Sequence, residues 1–413
     1  MERNDITKLL PRLLSGEKLI KELECIPSYD ESIREQDAAS RLMCLSDLYK
    51  VYSPSAMSVE IYNKLYLATV MSLQKKQTKL TVQQQNITYK AMCGNEYRGI
   101  IGGSDSFTII GTSGIGKSSA IDRAISLISG DSIIEVDNPF TKIIPCIVVQ
   151  CPFDCSCKGL LLEILRIVDL QLGTSYYQKS QRSGVTTDLL IGTISQVAIN
   201  HIGLLIIDEI QHLAGHKNGK TLVNMLVQLL NNSGISIGLI GTPEIIPFLE
   251  QVMQMARRSL GLQYGALQYD DYFKDFCRLL FGYQYVKQKT EISEMLLEWL
   301  YEHSAGILSV VIGLLHDAQE MAIFNGKEIL NLETLSEAYE SRMSLLHNYI
   351  APSILKNTNL SRTKAKKLEM IEITTEEELV YQTIPELVQE AKNQSVDVVE
   401  FLKDNITVVE VAV

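Results

Sequence analysis

Four short apolar runs define the pattern of the central part of the chain. They span 107–110, 143–149, 204–207 and 235–240. Stretches with helical spacing of apolar residues lie between them, at 160–170 and 221–230. Pro145 weakens the prediction for the second run, because proline cannot donate to a strand ladder. Continuous apolar strands that alternate with helices nevertheless predict an α/β fold, in which helices cover both faces of a parallel sheet.

The regions on either side of this central part have the pattern of helices. Apolar residues recur on one face of a helix predicted for 57–68, and the polar stretch 74–79 is predicted to end it. Further along the chain, 292–303 and 310–324 are predicted helices. Pro352 ends this helical run, so the residues after it are expected to form a separate tail.

Composition narrows the class of protein without identifying a partner. Hydrophobic residues make up 46% of the 413 positions and charged residues 21%, so the chain can bury a large core. The formal net charge of −11 argues against a protein that coats nucleic acid through its overall charge, although it allows a local basic face. No signal-peptide pattern is present, and no apolar run reaches the roughly 18 residues of a membrane span. We therefore expect a cytoplasmic protein without a membrane partner.

Three cysteines, Cys151, Cys155 and Cys157, are close enough in sequence to be weighed as a zinc site. Their spacing differs from the paired spacing of zinc ribbons, and no histidine lies nearby in the sequence. Free thiols are the favoured interpretation for a long cytosolic chain.

The sequence GTSGIGKS at 111–118 fits the phosphate-binding motif Gly-x4-Gly-Lys-Ser/Thr, with an apolar run before it and a predicted helix from about Lys117. Glycines let the loop turn its backbone N–H groups toward phosphate oxygens, and the helix N-terminus adds a favourable dipole. Lys117 would contact the β- and γ-phosphates of ATP, and Ser118 would ligate Mg²⁺. A glycine-rich turn without a ligand is the disfavoured alternative. The predicted ATP-binding residues are Gly111, Thr112, Ser113, Gly114, Ile115, Gly116, Lys117, Ser118 and Ser119.

Two carboxylates, Asp208 and Glu209, follow the apolar run 204–207. In open parallel sheets, ligands bind at the carboxyl ends of the strands. We therefore expect Asp208 to hold Mg²⁺, and Glu209 to orient and polarise the attacking water. An Asp-Glu pair at a strand end is common by itself, and its pairing with the phosphate motif is what makes it informative.

Two further features are candidates for catalytic roles. Thr242 follows the fourth apolar run and is a candidate sensor of the γ-phosphate, and a Thr-Pro turn with a local hydrogen bond is the alternative. Arg257 and Arg258 follow a helix that is predicted to begin near Pro247. Either arginine could reach a neighbouring subunit's ATP site, although a solvated surface pair is the favoured interpretation from sequence alone.

Further segments accompany the phosphate motif. They are GTSGIGKSSAIDRAI (111–125), VQCPFDCSCKGLLLEIL (149–165), LLIIDEIQHL (204–213), GLIGTPEI (238–245) and ARRSLGL (256–262). Together these segments resemble the TnsC/TniB family of AAA+ transposition regulators, found in transposons that include CRISPR-associated ones. The phosphate motif is general, whereas DEIQHL together with GTPE and CPFDCS is more specific to that family. The resemblance covers roughly residues 45–345.

The resemblance implies a function that the residues alone do not. The ATP-bound protein would assemble into a ring or helical filament on double-stranded DNA. It would link a target-selector protein of the TniQ/TnsD kind to the transposase, and hydrolysis would control disassembly. The resemblance also favours Thr242 as a sensor and Arg257 or Arg258 as a finger acting in trans, and it disfavours a zinc site at the cysteines.

Two departures from the general AAA+ pattern limit what the resemblance implies. The segment 304–309 reads SAGILS, without the second sensor arginine that many AAA+ lids carry. We therefore expect slow ATP hydrolysis that assembly or DNA stimulates. The separation between Lys117 and Asp208 is long, which predicts an elaboration within 131–200 that includes a polar loop at 178–187.

Contacts with DNA are the least defined feature in the sequence. Lys158, Lys217 and Lys220 are the candidates, and solvated loop lysines are the favoured interpretation for each one singly. A ring would repeat each lysine in every subunit, so that modest local charge gives salt-sensitive binding to the DNA backbone.

These features together predict a DNA-dependent AAA+ ATPase that regulates transposition. The alternatives are a replication initiator or helicase loader with the same ATP site, and a nucleotide-switch signalling ATPase that does not bind DNA. The predicted organisation is an N-terminal helical region (1–95), an α/β nucleotide-binding core (96–260), a helical lid (261–350) and a partner-binding tail (351–413).

Overall fold

The structure is a computed structural model that describes residues 6–76, 106–130, 133–137, 140–181, 184–251 and 261–343. These residues belong to the compact unit Met1–Ser353. Several predictions lie outside the described residues: the two candidate finger arginines, Arg257 and Arg258, the tail 351–413, and the boundary between the first two predicted regions at 95/96.

The described residues form a central sheet with helices around it. The strands are β1 (Ser106–Gly111), β2 (Ile134–Asp137), β3 (Phe140–Gln150), β4 (Ile202–Asp208), β5 (Ser236–Gly241) and β6 (Leu262–Tyr264). The helices are α1 (Gly16–Leu23), α2 (Ala38–Cys44), α3 (Ala56–Lys76), α4 (Lys117–Ser129), α5 (Cys157–Leu172), α6 (Tyr176–Ser180), α7 (Thr187–His201), α8 (Gly219–Ser233), α9 (Ile246–Gln251), α10 (Asp271–Phe281), α11 (Glu294–Ser304), α12 (Leu308–Phe324) and α13 (Leu332–Arg342). The four predicted strands are confirmed as β1, β3, β4 and β5.

The order of the strands in the sheet is β2-β3-β4-β5-β1-β6. Every pairing is parallel except that of β2 with β3, so the prediction of a parallel sheet holds for all but one edge strand. Strand β2 runs antiparallel because only two residues separate it from β3, and a short connection can join only antiparallel neighbours. Strand β5 lies between β1 and β4. The phosphate motif, which follows β1, and the carboxylates, at the end of β4, are therefore separated by one strand.

Pro145 does not interrupt β3, contrary to the doubt that its presence raised. The register pairs Ile144 with Ile202 and Cys146 with Leu204, which places Pro145 opposite Gly203. A Cβ atom at Gly203 would lie 2.4 Å from the carbonyl oxygen of Pro145. The backbones of β3 and β4 can therefore approach this closely at Pro145 because residue 203 has no side chain.

Alternating side chains of the strands enter two hydrophobic cores, one on each face of the sheet. In β4, Leu204 and Ile206 pack with helices α3 and α4, whereas Leu205 and Ile207 pack with α5, α7 and α8. All four side chains are fully buried, and each such residue stabilises the fold by about 1.5–3 kcal/mol relative to an exposed one. The prediction of a sheet covered on both faces is confirmed.

A third hydrophobic core holds helices α10 to α13 together. Leu45, Leu48 and Val51 of the N-terminal part of the chain pack into this core, whereas α3 packs on the sheet. The guanidinium of Arg41, only 1% exposed, donates to the carboxylate of Glu328 at 2.6 and 2.7 Å. The N-terminal part of the chain is therefore shared between the sheet and the C-terminal helices.

The helix predicted for 57–68 is confirmed as α3, which is longer and reaches Lys76 within the polar stretch that was expected to end it. Among the described helices, no single one has the length and hydropathy to cross a membrane. Helices α11 and α12 reach the required length and hydropathy only as a pair, and the angle of the bend between them is 116°.

Candidate functional site

The turn between β1 and α4 carries the phosphate motif. Gly111 ends β1, and Lys117 begins α4. Between them, Gly114 and Gly116 have φ angles of 81° and 94°, which a residue with a Cβ atom adopts only at a cost. A Cβ atom at Gly116 would have no atom within 4 Å, so this face of the turn is open. The glycines thus produce a concave backbone of the kind that binds anions.

The ammonium group of Lys117 is held at this turn by hydrogen bonds. The residue is only 8% exposed, and its Nζ atom donates to the carbonyl oxygens of Gly111 and Thr112 at 2.6 and 2.8 Å. Burial lowers the pKa of the Lys117 ammonium, and the nearby carboxylates of Asp208 and Glu209 oppose this effect. A cation held in this way is placed to meet the negative charge of a phosphate.

The predicted carboxylates lie at the end of β4. Asp208 is the last residue of the strand, and Glu209 has a left-handed backbone with φ of 60°. The backbone N–H of Glu209 donates to Oδ1 of Asp208 at 2.8 Å. Burial raises the pKa of Asp208, while this hydrogen bond and the charge of Lys117 act in the opposite direction. The left-handed turn at Glu209 follows directly after Asp208, and both residues line the same cleft.

Gln211 is a residue of the site that the sequence analysis missed. Its Nε2 atom donates to the carboxylate of Glu209. Its Oε1 atom is buried without a hydrogen-bond partner within the described part of the chain, and a Cβ atom at Gly241 would lie 3.1 Å from it. Its position two residues after Glu209 was the available signal, but sequence alone does not show which way the side chain turns.

Thr242 follows β5 at the same edge of the sheet. Its Oγ1 atom donates to the carboxylate of Glu244, a local hydrogen bond of the kind that the alternative interpretation of the Thr-Pro turn expected. Thr242 also lines the cleft described next. A role as γ-phosphate sensor stays a prediction.

These residues form one side of a cleft of about 310 Å³. We call this side the sheet wall, which consists of residues 113–119, Asp208, Glu209, Gln211, Gly241 and Thr242. We call the opposite side the helical wall, which consists of Tyr49, Val51, Tyr52, Ser53, Ser55, Met57, Ser58, Tyr272, Phe276, Leu308, Ser309 and Ile312. Nothing in the sequence pattern showed that these last residues would meet, because they come from three separate segments.

The helical wall touches the phosphate motif directly. The N–H of Ser309 donates to the carbonyl oxygen of Gly114 at 3.0 Å. A Cβ atom at Gly114 would lie 2.2 Å from Oγ of Ser309. The segment 304–309, which lacks the second sensor arginine, therefore ends against the phosphate loop, and a serine lies there.

The residues of the sheet wall fit ATP and Mg²⁺. The left-handed glycines leave the backbone open to phosphate oxygens, and the exposed hydroxyl of Ser118 lies in the same cleft as Asp208. Bound ATP would supply the phosphoanhydride bond to be broken. Lys117 can neutralise phosphate charge, Ser118 and Asp208 can hold the metal together with water, and Glu209 can orient the attacking water.

The candidate DNA-contacting lysines are exposed at the same edge of the sheet as the cleft. Lys158 is the second residue of α5 and donates weakly to the carbonyl oxygen of Val185 at 3.4 Å. Lys217 lies two residues before α8, and Lys220 is the second residue of that helix. The side chain of Asn218 donates to the carbonyl oxygen of Asp154 at 3.2 Å, so the loops before α5 and α8 are in contact.

The three neighbouring cysteines carry reduced thiols in the structure. Burial raises the pKa of Cys151 to about 12, which opposes the thiolate form that a metal requires. Within the described ranges, no group of three or more His, Cys, Asp or Glu residues is arranged to hold a metal ion.

The fold and the cleft define a P-loop nucleotide-binding domain of the AAA class. Comparison with protein families agrees, because residues 101–249 match the model of the family described as an AAA domain. This span contains the phosphate motif, both carboxylates and Thr242. The chain thus carries an AAA domain, and such domains are P-loop ATPases.

Solved structures with related folds are distant. The chain is similar to Drosophila ORC bound to DNA, with 12% identity over 98% of this chain and 86% of that chain and a TM-score of 0.45. ORC1 of Aeropyrum pernix in complex with DNA is 13% identical over 81% of this chain and 78% of that chain, with a TM-score of 0.37. AMPPCP-bound DnaA from Aquifex aeolicus is 13% identical over 77% of this chain and 81% of that chain, with a TM-score of 0.34. These similarities are too distant to say what the chain binds or does. No curated protein matches it.

Proposed function

We propose that the protein is an ATP-hydrolysing AAA+ switch that assembles on double-stranded DNA in its ATP-bound form and leaves it after hydrolysis. The observation that supports the ATPase part is that Lys117, Asp208 and Glu209 line one cleft, although Lys117 follows β1 and the two carboxylates follow β4 in the sequence. Hydrolysis is slow without a stimulus, because no arginine from 304–309 is present to complete the charge of the site.

The specific role that we propose is regulation of transposition, as a link between a target-selector protein and a transposase. Its support is the sequence resemblance carried by DEIQHL, GTPE and CPFDCS. Covalent chemistry on DNA would then belong to the partner, and the output of this protein is its state of assembly. Arg257 or Arg258 would act as the finger between subunits.

A replication initiator or helicase loader is the second candidate role, since it would use the same ATP site. The solved structures named above are of ORC and DnaA, and none of those three is a transposition regulator. The two roles differ in their partners. Binding to a replicative helicase without binding to a transposase would favour the second role.

Electron microscopy of the protein with linear duplex DNA tests the assembly directly. We expect rings or filaments with a non-hydrolysable ATP analogue and none without it. Lys117→Ala should abolish these assemblies, because it removes the cation of the phosphate loop, and Glu209→Gln should prolong them in ATP. Assemblies that form equally well without nucleotide would contradict the proposal.

The third candidate function is that of a signalling ATPase that does not bind DNA. The rate of ATP turnover with and without duplex DNA distinguishes it from the proposed function. Duplex DNA should raise the rate of ATP turnover if the proposal is right. If duplex DNA changes neither turnover nor assembly, the signalling function replaces it.

A further inference from the structure

One exposed aromatic side chain lies against the segment that carries the two carboxylates. Phe153 is 82% exposed, more than any other large hydrophobic residue in the described part of the chain. It lies in residues 151–155, which connect β3 to α5 and which we call the aromatic turn. Exposing a phenyl ring forgoes the free energy that its burial would give. Single exposed hydrophobic residues are common on protein surfaces, so the charges and hydrogen bonds around Phe153 decide what this ring can contact.

The exposed charges around the aromatic turn are mostly positive, whereas the entire chain has a formal net charge of −11. Residues 151–160 and 212–221 together contain three exposed lysines and one exposed aspartate, and the neighbouring carboxylates of Asp208 and Glu209 are half-buried and line the cleft. The hydrogen bond from Asn218 to Asp154 joins these two stretches. A basic surface on an acidic protein, with an exposed ring among the lysines, is suited to nucleic acid, because lysines contact phosphates and an aromatic ring can insert between bases.

Hydrogen bonds connect the aromatic turn to residues 208–213, which we call the carboxylate segment. The ring of Phe153 lies 5.5 Å from that of His212, edge to face. His212 donates from Nδ1 to the carbonyl oxygen of Cys151 at 3.2 Å, and the Sγ atom of Cys155 donates to the carbonyl oxygen of His212 at 3.3 Å. The N–H of Cys151 donates to the carbonyl oxygen of Asp208 at 2.8 Å. The two segments are therefore bonded at both of their ends.

Each of the two segments contains a residue with an unfavourable backbone conformation. Cys155 has φ of 50° and Glu209 has φ of 60°, and they are two of the four non-glycine residues with positive φ among those described. Such conformations persist only where the surrounding contacts enforce them. A displacement of the aromatic turn would consequently change the contacts that hold the backbone of Glu209.

We propose that the aromatic turn is a contact point for duplex DNA, and that this contact adjusts the position of Glu209 through the carboxylate segment. The proposal rests on the proposed function, since it names the surface by which DNA stimulates hydrolysis. In this arrangement Lys158, Lys217 and Lys220 contact phosphates, and Phe153 contacts the bases. His212 connects the ring of Phe153 to the segment that carries Glu209.

The test compares three variants of the full-length chain: Phe153→Ala, Phe153→Tyr and Phe324→Ala. Phe324 is a matched control, because its side chain is 68% exposed and it is the last residue of α12, a helix that packs in the third core. Two quantities are measured for each: duplex binding by fluorescence anisotropy with a non-hydrolysable ATP analogue, and the ratio of ATP turnover with saturating duplex to turnover without it. Thermal unfolding checks that the variants are folded.

For Phe153→Ala we expect duplex affinity to fall about tenfold. This value is at the low end of the effect of removing a base-stacking ring from a single-strand complex, because insertion into a duplex also costs unstacking. The turnover ratio should fall toward one. Phe153→Tyr, which keeps the ring, and Phe324→Ala should both behave like the wild type. A second measurement keeps the lysines in the test: Lys217→Ala together with Lys220→Ala should make the dependence of binding on salt less steep, by about 0.9 in the logarithmic slope for each phosphate that is no longer neutralised.

The outcomes separate this proposal from the proposed function. If duplex DNA neither binds nor stimulates the wild type, the proposed function itself is wrong. If the wild type is stimulated but Phe153→Ala keeps both the affinity and the ratio, the aromatic turn is not the contact and the proposal is overturned. If Phe153→Ala lowers affinity but keeps the full ratio at saturating duplex, the connection to Glu209 is overturned. If Phe153→Ala loses binding to a protein partner but keeps its DNA binding, the proposal of a DNA contact is also overturned, and the aromatic turn is a protein-docking surface.

Discussion

The two walls of the cleft differ in the kind of side chain that each one presents. The sheet wall contains Lys117, Asp208 and Glu209, whereas none of the residues that form the helical wall in the described structure is charged. The helical wall instead presents aromatic rings and hydroxyls, among them Tyr52 and Tyr272. Charge and chemistry are therefore on one side, and shape and apolar contact on the other.

The two walls also differ in how they are held. In the sheet wall, Asp208 and Glu209 lie at the end of a buried strand and Lys117 begins the helix after the phosphate loop. Each of them is fixed by hydrogen bonds to residues that are close in sequence. The helical wall brings the N-terminal residues 49–58 against the C-terminal helices α10 and α12, and it depends on distant ties such as the pair Arg41 and Glu328. The comparison predicts that changes in the sheet wall act on chemistry, and that changes in the helical wall act on stability and affinity.

The largest expected effect belongs to Glu209→Gln in the sheet wall. If Glu209 orients the attacking water as proposed, its removal should lower ATP turnover by about 10² to 10⁴, the usual contribution of a general base. ATP binding should stay within about twofold of the wild type, because Lys117 and the phosphate loop are untouched. Turnover by radioactive phosphate release and binding by calorimetry check the two parts. Comparable losses in both would mean that the walls do not divide the work as described.

The next effect belongs to a distant tie of the helical wall. In Glu328→Gln the buried guanidinium of Arg41 loses its charged partner, so the free energy of unfolding should fall by about 2–3 kcal/mol at neutral pH. The matched control is Glu333→Gln, which breaks the exposed pair of Glu333 with Lys327 and should cost less than about 1 kcal/mol. Urea unfolding monitored by circular dichroism measures both. Equal costs for the two variants would show that the Arg41 tie is unimportant.

The same tie predicts a dependence on pH. Hydrogen bonds from Arg41 hold the pKa of Glu328 below its ordinary value of 4.5. A carboxylate with a lowered pKa stabilises the fold above its unfolded pKa and loses this contribution as the pH falls through the folded value. The difference in stability between the wild type and Glu328→Gln should thus be constant from pH 7 to about pH 5 and shrink below pH 4.5. A difference that grows on acidification would contradict this assignment.

The same contrast explains which parts were predictable from sequence. The phosphate loop and the strand ends could be predicted, because runs such as 204–207 and the motif at 111–118 specify their structure locally. The helical wall could not, since nothing local in Tyr52 or Tyr272 shows that their segments meet. Strand β6, Leu262–Tyr264, was missed because three residues carry too little periodicity to be recognised.

Single contacts also decided two points that the pattern left open. The close approach of the two backbones at Pro145 and Gly203 requires glycine at position 203, and the register that brings them together is a tertiary property. The role of Gln211 depends on a side-chain direction that follows from the left-handed turn at Glu209. Sequence reasoning named the charged residues that the structure places around the cleft, but not the neutral Gln211 that donates to one of them.

A smaller effect is expected where the two walls touch. Alanine at either Gly114 or Gly116 must adopt positive φ, which costs about 1–2 kcal/mol. At Gly114 the new Cβ atom would also collide with Ser309, whereas at Gly116 it would meet nothing. Without nucleotide, Gly114→Ala should therefore be less stable than Gly116→Ala by about 1 kcal/mol or more. Alternatively, the helical wall should move away from the phosphate loop and lose the contact between Gly114 and Ser309. Thermal unfolding measures the difference, and equal stabilities with unchanged walls would contradict the contact between Gly114 and Ser309.

The smallest effect concerns one hydrogen bond of the helical wall. The hydroxyl of Tyr272 donates to the carbonyl oxygen of Ser53 at 2.8 Å and so joins α10 to the N-terminal segment of the cleft. Tyr272→Phe should cost about 1 kcal/mol of stability. Tyr66→Phe removes a bond of similar length, to Pro11, away from the cleft, and should cost no more. Only Tyr272→Phe should also weaken ATP binding, by about twofold to fivefold, because only its bond positions a wall of the cleft. If calorimetry finds the same ATP affinity in both variants, the helical wall contributes stability alone, and the division of work between the walls is narrower than the comparison implies.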